Sequence, residues 1–175
     1  VLFTRLEEKI ARKLKRLSPG RIRYNKEGRI LAIFPQKITQ SLNHPIANTG
    51  LVAVITGGTG DIPAAEEAAF TCETLGSDVR RLYDVGVAGI HRLLENRSVL
   101  DGVSCAIVCA GMEGALPSVI GGMCPCPVIG VPTSVGYGVA TGGHVALHAM
   151  LSSCASNVCV VNIDNGFSAG VIAHL

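Results

Sequence analysis

The sequence predicts an α/β fold, a three-layer α/β/α sandwich around a mainly parallel sheet, with a partial small α+β segment at the N-terminal end. Three observations predict it. Short continuous apolar runs such as LVAVIT (51–56) and VSCAIVCAG (103–111) alternate with helix-length segments. That is the pattern of strands buried on both faces and joined by right-handed crossovers. Next, the apolar runs end in Gly-rich polar loops: TGGTGD, YDVG, AGMEG, VPTSVGYG and NIDNG. Finally, the chain is 48% hydrophobic and 16% charged, with 21 Gly among 175 residues. An average domain is about 25% charged, so this is a close-packed protein with tight turns, neither a disordered chain nor a nucleic-acid binder.

The elements follow in order. RLEEKIARKLKRL (5–17) sets Leu6, Ile10, Leu14 and Leu17 at helical spacing among alternating charges, an amphipathic surface helix. RIRYNKEGRILAIFP reads as two short strands around residues 25–28, and 36–49 as a polar linker. The expected organisation is therefore a remnant of an N-terminal domain with its linker over 1–49, then an α/β domain over 50–175. After LVAVIT, Asp61 is placed as a helix N-cap with Pro63 in the first turn, and Gly76 closes a helix over 64–76. VRRLYDV (79–85) is the second strand and VAGIHRLLENR (87–97) the next helix. The third strand, 103–111, leads into MEGALPSVIGGM (112–123), a helix kept short or kinked by Pro117 and the Gly pair. PVIGVPT (127–133) is the fourth strand, GGHVALHAMLSSC (142–154) a helix, and NVCVVNID (157–164) the fifth strand.

Charge is unevenly spread. Residues 1–49 hold 11 Lys/Arg against 3 Asp/Glu, and residues 50–175 hold 4 against 10. The basic segment reads as the solvated side of the first helix. The seven cysteines (Cys72, Cys105, Cys109, Cys124, Cys126, Cys154 and Cys159) read as free thiols, which points to the cytoplasm or another reducing compartment. CPC at 124–126 lacks a second ligand pair, so no zinc site is expected. Gly and Pro interrupt every candidate stretch of the roughly 20 apolar residues that a membrane span needs. No signal-peptide pattern opens the chain at Val1, and a targeting segment is not observable.

Familiar catalytic motifs are missing. The chain has no P-loop, no dinucleotide fingerprint in register, no nucleophile elbow and no HExxH. What stands out is Glu113 in AGMEGALPSVIGGM. No Asp, Glu, Lys or Arg follows it until Asp164. A lone carboxylate at a strand-to-helix junction is either a structural cap or a chemical tool. Ligands of such sheets collect beyond the carboxyl ends of the strands, so Glu113 belongs to a ring of loops at one edge. Cys154, on spacing alone, is a small residue closing a helix. His144 and His148 share one helical face, but two ligands without a third read as packing residues.

Five stretches taken together carry a resemblance. TGGTGDIPAAEEAAFTCETLG, RLYDVGVAGIHRLL, AGMEGALPSVIGG, CPVIGVPTSVGYG and MLSSCASNVCVVNIDNGFSAG, in that order, resemble the pyridinium-3,5-biscarboxylic acid mononucleotide synthases, the LarB family of nickel-pincer cofactor biosynthesis. That family's core is similar to aminoimidazole ribonucleotide carboxylase and its mutase relatives. The resemblance implies an enzyme that adds CO2 to C5 of the pyridinium ring of nicotinic acid adenine dinucleotide and hydrolyses the phosphoanhydride, releasing AMP. It implies Cys154 as nucleophile and Glu113 as base. It further implies Thr59, Asp61, Asp84, His91, Arg92, Gly111, Thr133, Ser134 and Tyr137 as substrate contacts. No tightly bound cofactor is expected, with a role for Mg²⁺ left open. The expected partners are the dinucleotide, CO2 and further copies of the chain in a homo-octamer, with no nucleic acid and no membrane. Two alternatives stand beside it. One is an aminoimidazole ribonucleotide carboxylase or mutase of purine biosynthesis, although those enzymes are expected to carry Ser-Ala-His-Arg where this chain has YDVGVAGIHR. The other is a non-catalytic nucleotide-binding oligomer.

Overall fold

A computed structural model describes residues 1–17, 20–34 and 50–175. The expected linker at 36–49 lies outside the described residues. Two sheets organise the chain. β1 (Leu2–Phe3), α1 (Glu8–Leu17), β2 (Ile22–Asn25) and β3 (Ile30–Ile33) form a small antiparallel sheet of order β1-β3-β2 with one helix. The hairpin expected around 25–28 is present, and β1 is an addition to it. On α1 the buried residue is Ala11, while Ile10 and Leu17 are exposed, so the inward face is offset from the apolar stripe read in the sequence.

The second sheet has five parallel strands: β4 (Leu51–Thr56), β5 (Asp78–Leu82), β6 (Cys105–Ala110), β7 (Val128–Pro132) and β8 (Val158–Val160). Their spatial order is β5-β4-β6-β7-β8. The connecting helices are α2 (Ile62–Leu75), α3 (Ile90–Glu95), α4 (Leu116–Met123) and α5 (His144–Leu151), and α6 (Gly166–His174) follows β8. Alternation along the strands feeds two cores. Val52, Val54, Ile107 and Ile129 pack under α2 and α6, through Ala65, Ala68, Ala69, Cys72 and Ala169. Ala53, Ile55, Ala106 and Val108 pack under α3, α4 and α5, through Leu93, Leu116, Ile120, Ala146 and Met150. Burial on both faces is why these strands read as unbroken apolar runs. The α/β sandwich and the small N-terminal α+β layer are thus both present.

Strand ends are shorter than expected, because the residues at their carboxyl ends turn out into the loops. α6 was not anticipated. Its sequence, GFSAGVIAH, carries two glycines, which disfavour a helix interior by about 1 kcal/mol each. Here they are needed for close approach. A Cβ on Gly166 would collide with the Ala64 carbonyl oxygen, and one on Gly170 would lie 2.6 Å from that of Ala68. α2 is also the wall on which the small sheet rests. Ile30 and Ala32 pack on Phe70, and Asn25 Nδ2 donates to Glu66 Oε2 at 2.6 Å. Among the described residues no helix is long and apolar enough to cross a membrane.

Gly170→Ala should therefore overpack the α2–α6 contact and lower stability by about 1–3 kcal/mol, read as a fall in the urea midpoint. An unchanged midpoint would mean that the two helices can part at no cost.

Candidate active site

In a doubly wound sheet the ligand crevice opens where consecutive connections leave the sheet on opposite sides. With the order β5-β4-β6-β7-β8, that point lies between β4 and β6. The structure has a cleft there of about 220 Å³. Its walls come from the loops after β4 (Gly57, Gly58, Asp61), β5 (Gly86, Val87) and β6 (Gly111, Glu113, Leu116), with Val135 from the loop after β7. The backbones approach closely. A Cβ on Gly86 would sit 2.6 Å from the Gly57 carbonyl oxygen, and one on Gly111 would collide with that of Val135.

Glu113 is held between two left-handed residues, Met112 (φ 52°) and Gly114 (φ 63°). The Met112 N–H donates to the Val135 carbonyl at 3.1 Å, and Gly114 N–H to that of Gly111 at 2.9 Å. The Glu113 carboxylate is exposed and makes no hydrogen bond or ion pair among the described residues. The N-cap position of α4 is Ala115, without a side-chain cap. The structural-cap role is therefore not what this carboxylate performs.

Asp61 is the opposite case. It is 4% exposed. Its Oδ1 accepts from Thr133 Oγ1 at 2.6 Å and its Oδ2 from the Gly58 N–H at 2.8 Å. Burial pushes its pKa up, and the Thr133 hydroxyl and the N–H groups of Gly58 and Gly111 oppose that rise. It occupies the N-cap position of α2, as expected, but its side chain does not cap the helix. The carboxylate turns back and ties the loop after β4 to the end of β7, which makes it a brace for the cleft floor.

The remaining expected contacts divide. Gly111 lines the cleft, and Thr133 reaches it through Asp61. Ser134 gives its N–H to Asp164 Oδ1 at 2.8 Å. Asp84 faces Arg92 at 3.8 Å in a solvent-exposed pair, worth little on its own. Thr59, His91 and Tyr137 are exposed and lie outside the cleft wall. Cys154 is exposed and follows α5, on the way into the amino end of β8. Glu113 follows the carboxyl end of β6, at the other edge of the sheet. Gly114 packs against Ala146, and from there α5 runs on to Leu151, about 8 Å further along its axis, before the chain turns to Cys154. One chain therefore does not bring Cys154 to Glu113. Cys154 and Cys159 are the exposed thiols, and Cys72, Cys105, Cys109, Cys124 and Cys126 are buried. Burial pushes Cys72 and Cys105 up to about 12. Cys159 lies in β8 as expected, but as an edge-strand residue open to solvent.

Left-handed backbone marks the same edge. Among the described residues, the non-glycine residues with positive φ are Arg5, Arg29, Asp84, Met112 and Asp164. All five lie on the rim formed by the carboxyl ends of the parallel strands and the adjoining small sheet. Such conformations cost on the order of 1–3 kcal/mol each and concentrate at functional sites. Arg5, Arg29, Glu67 and Asp164 were not singled out as site residues. Asp164 carried a signal, as the charge that ends the long neutral run. The arginines carried none, because they resemble the other basic residues around them.

A parallel sheet with polar, glycine-lined loops around a crevice at its switch point defines a doubly wound α/β protein. Residues 51–175 match the AIR carboxylase family, and the chain belongs to that family, whose activities are carboxylase- and mutase-type. An uncharacterized protein of Methanocaldococcus jannaschii is 46% identical over 99% of this chain and 67% of its own length. The fold is similar to that of Treponema denticola PurE, with TM-score 0.54 and 20% identity over 70% of this chain and 77% of that one. A substituted form of Treponema denticola PurE2 gives TM-score 0.53 and 21% identity over 70% of this chain and 76% of that one.

Asp61→Ala should orphan the buried Thr133 hydroxyl and the Gly58 N–H, at a cost of about 1–3 kcal/mol in urea unfolding. Asp61→Asn should cost less, since its amide oxygen can still accept one of the two bonds. Equal stability of all three proteins would remove the bracing role.

Proposed function

We propose that the protein carboxylates C5 of the pyridinium ring of nicotinic acid adenine dinucleotide and releases AMP by hydrolysis of the phosphoanhydride. The observation that carries this reading is the uncommitted Glu113 carboxylate, presented by a strained loop at the mouth of the switch-point crevice. A pyridinium ring is electron-poor and does not attack CO2. A thiolate adding at C4 turns it into a dihydropyridine whose enamine carbon, C5, is nucleophilic. C5 then forms a bond to the carbon of CO2. Glu113 takes the C5 proton, the electron pair restores the aromatic ring, and the thiolate leaves from C4. Hydrolysis of the phosphoanhydride adds water across the P–O–P linkage.

This chemistry needs a thiol beside Glu113 and shelter from water. The proposed homo-octamer supplies both, with Cys154 arriving from a neighbouring copy. Support comes from the exposed apolar side chains Val139 (93%) and Leu151 (64%). They belong to a stretch without formal charge, 114–163, a surface suited to contacts between copies. A second reading, aminoimidazole ribonucleotide carboxylase or mutase activity, is favoured by the family match itself.

The deciding experiment is incubation with the dinucleotide, bicarbonate and Mg²⁺, read by mass spectrometry, with aminoimidazole ribonucleotide as the parallel substrate. Glu113→Gln and Cys154→Ser should each keep the fold and lose product formation by about 10²-fold or more. Co-refolding the two inactive variants should restore part of the activity, because mixed assemblies contain some intact sites. Full turnover by Cys154→Ser alone would exclude covalent catalysis by this thiol.

A further inference from the structure

A second cleft, of about 390 Å³, lies beside the first. It is formed by Arg5, Glu27 and Arg29 of the small N-terminal layer against Glu67, Ser134 and Asp164. The two clefts share Gly60 and Val135 as a common lip. Gly60 packs closely against Val135 there, since a Cβ on it would lie 2.8 Å from Val135 Cγ1, so Gly60 adds no side chain to the ridge between the two clefts.

The charges of the cleft are unequally occupied. Glu67 is buried and accepts from the Phe167 N–H at 3.2 Å. Asp164 accepts from the Ser134 N–H at 2.8 Å. The two arginines are free by comparison. Each guanidinium carries five N–H donors in a planar fork. Among the described residues neither forms an ion pair with a carboxylate. Their one side-chain hydrogen bond runs from Arg29 Nη2 to the Arg5 carbonyl oxygen, at 3.3 Å. That bond draws the two residues together. Both have left-handed backbone, φ 54° at Arg5 and φ 50° at Arg29. Both lie outside the family match, which begins at residue 51, so this wall of the cleft comes from outside the matched core.

We propose that this cleft is a subsite for a nucleoside monophosphate, with the phosphate held by Arg5 and Arg29. Paired guanidinium forks match tetrahedral oxyanions with bidentate, charge-assisted hydrogen bonds. The volume is in the range of small-ligand sites. Glu27, exposed in the same cleft, is an acceptor of the kind that binds ribose hydroxyls. Resting on the carboxylase reading above, the subsite takes the adenylate half of the dinucleotide, while the pyridinium half crosses the Gly60–Val135 lip to Glu113.

Calorimetric titration with AMP tests this directly. The protein should bind AMP saturably, and the Arg5→Gln/Arg29→Gln double variant should bind it about tenfold or more weakly. The thermal midpoint should change little in the variant, because both side chains are exposed and form no ion pair among the described residues. Displacement of AMP by inorganic phosphate supports phosphate as the recognised group. Adenosine binding as tightly as AMP overturns the proposal, as does unchanged AMP affinity in the double variant or an absence of AMP binding by the wild type. Arginine-dependent AMP binding in a protein that forms no carboxylated product keeps the subsite and sinks the carboxylation reading. Carboxylation with arginine-independent AMP binding does the reverse.

Discussion

The central sheet is covered by helices on both faces, and that coverage forces its polar chemistry onto the strand ends. Residues along β4, β6 and β7 face either the α2/α6 side or the α3/α4/α5 side. A charged group among them would have to leave water without a partner, at a cost of several kcal/mol. The loops at the carboxyl edge are where acids can be placed, and there the chain puts Asp61, Asp84, Glu113 and Asp164. Glycines at 57, 86 and 111 let those loops close on one another.

Two of these carboxylates show how environment divides labour. Asp61 is buried and spends its oxygens on Thr133 and Gly58, which fixes the relative position of two strand ends. Glu113 is exposed and, among the described residues, its carboxylate bonds to nothing. Their loops follow neighbouring strands of the sheet and both line one cleft. The first gives rigidity to the wall, and the second keeps its acceptor capacity for whatever enters.

Much of this was legible in the sequence because it follows from periodicity. The three central strands, β4, β6 and β7, show as apolar runs because both of their faces are buried, whereas the edge strands β5 and β8 are only partly buried and β5 carries Arg80 and Arg81. The run 103–111 overshot β6 because Gly111 and the residues before Cys105 are loop continuations of similar composition. α6 was invisible because Gly166 and Gly170 read as helix breakers, and only the proximity of α2 explains them. Glu113 was legible as an isolated charge. The position of Asp61 was legible too, but the direction of its carboxylate depends on Thr133, 72 residues away. Cys154 and Glu113 were paired by resemblance, while the alternation of strands already places a residue before β8 and one after β6 at opposite edges. Arg5 and Arg29 reach the rim only because the small sheet docks on α2, a contact between distant segments that leaves no periodic trace.

That docking gives α2 an unusual standing. Of its fourteen residues only Pro63 and Leu75 are exposed, because the parallel sheet and α6 cover one side and the small sheet covers the other. A helix with no solvent face has no side on which its sequence can drift freely. Ala68 is pressed by Gly170, and Phe70 by Ile30 and Ala32. The small layer and the α/β layer must therefore be inherited as one piece. Grafting either onto a relative would need α2 carried with it.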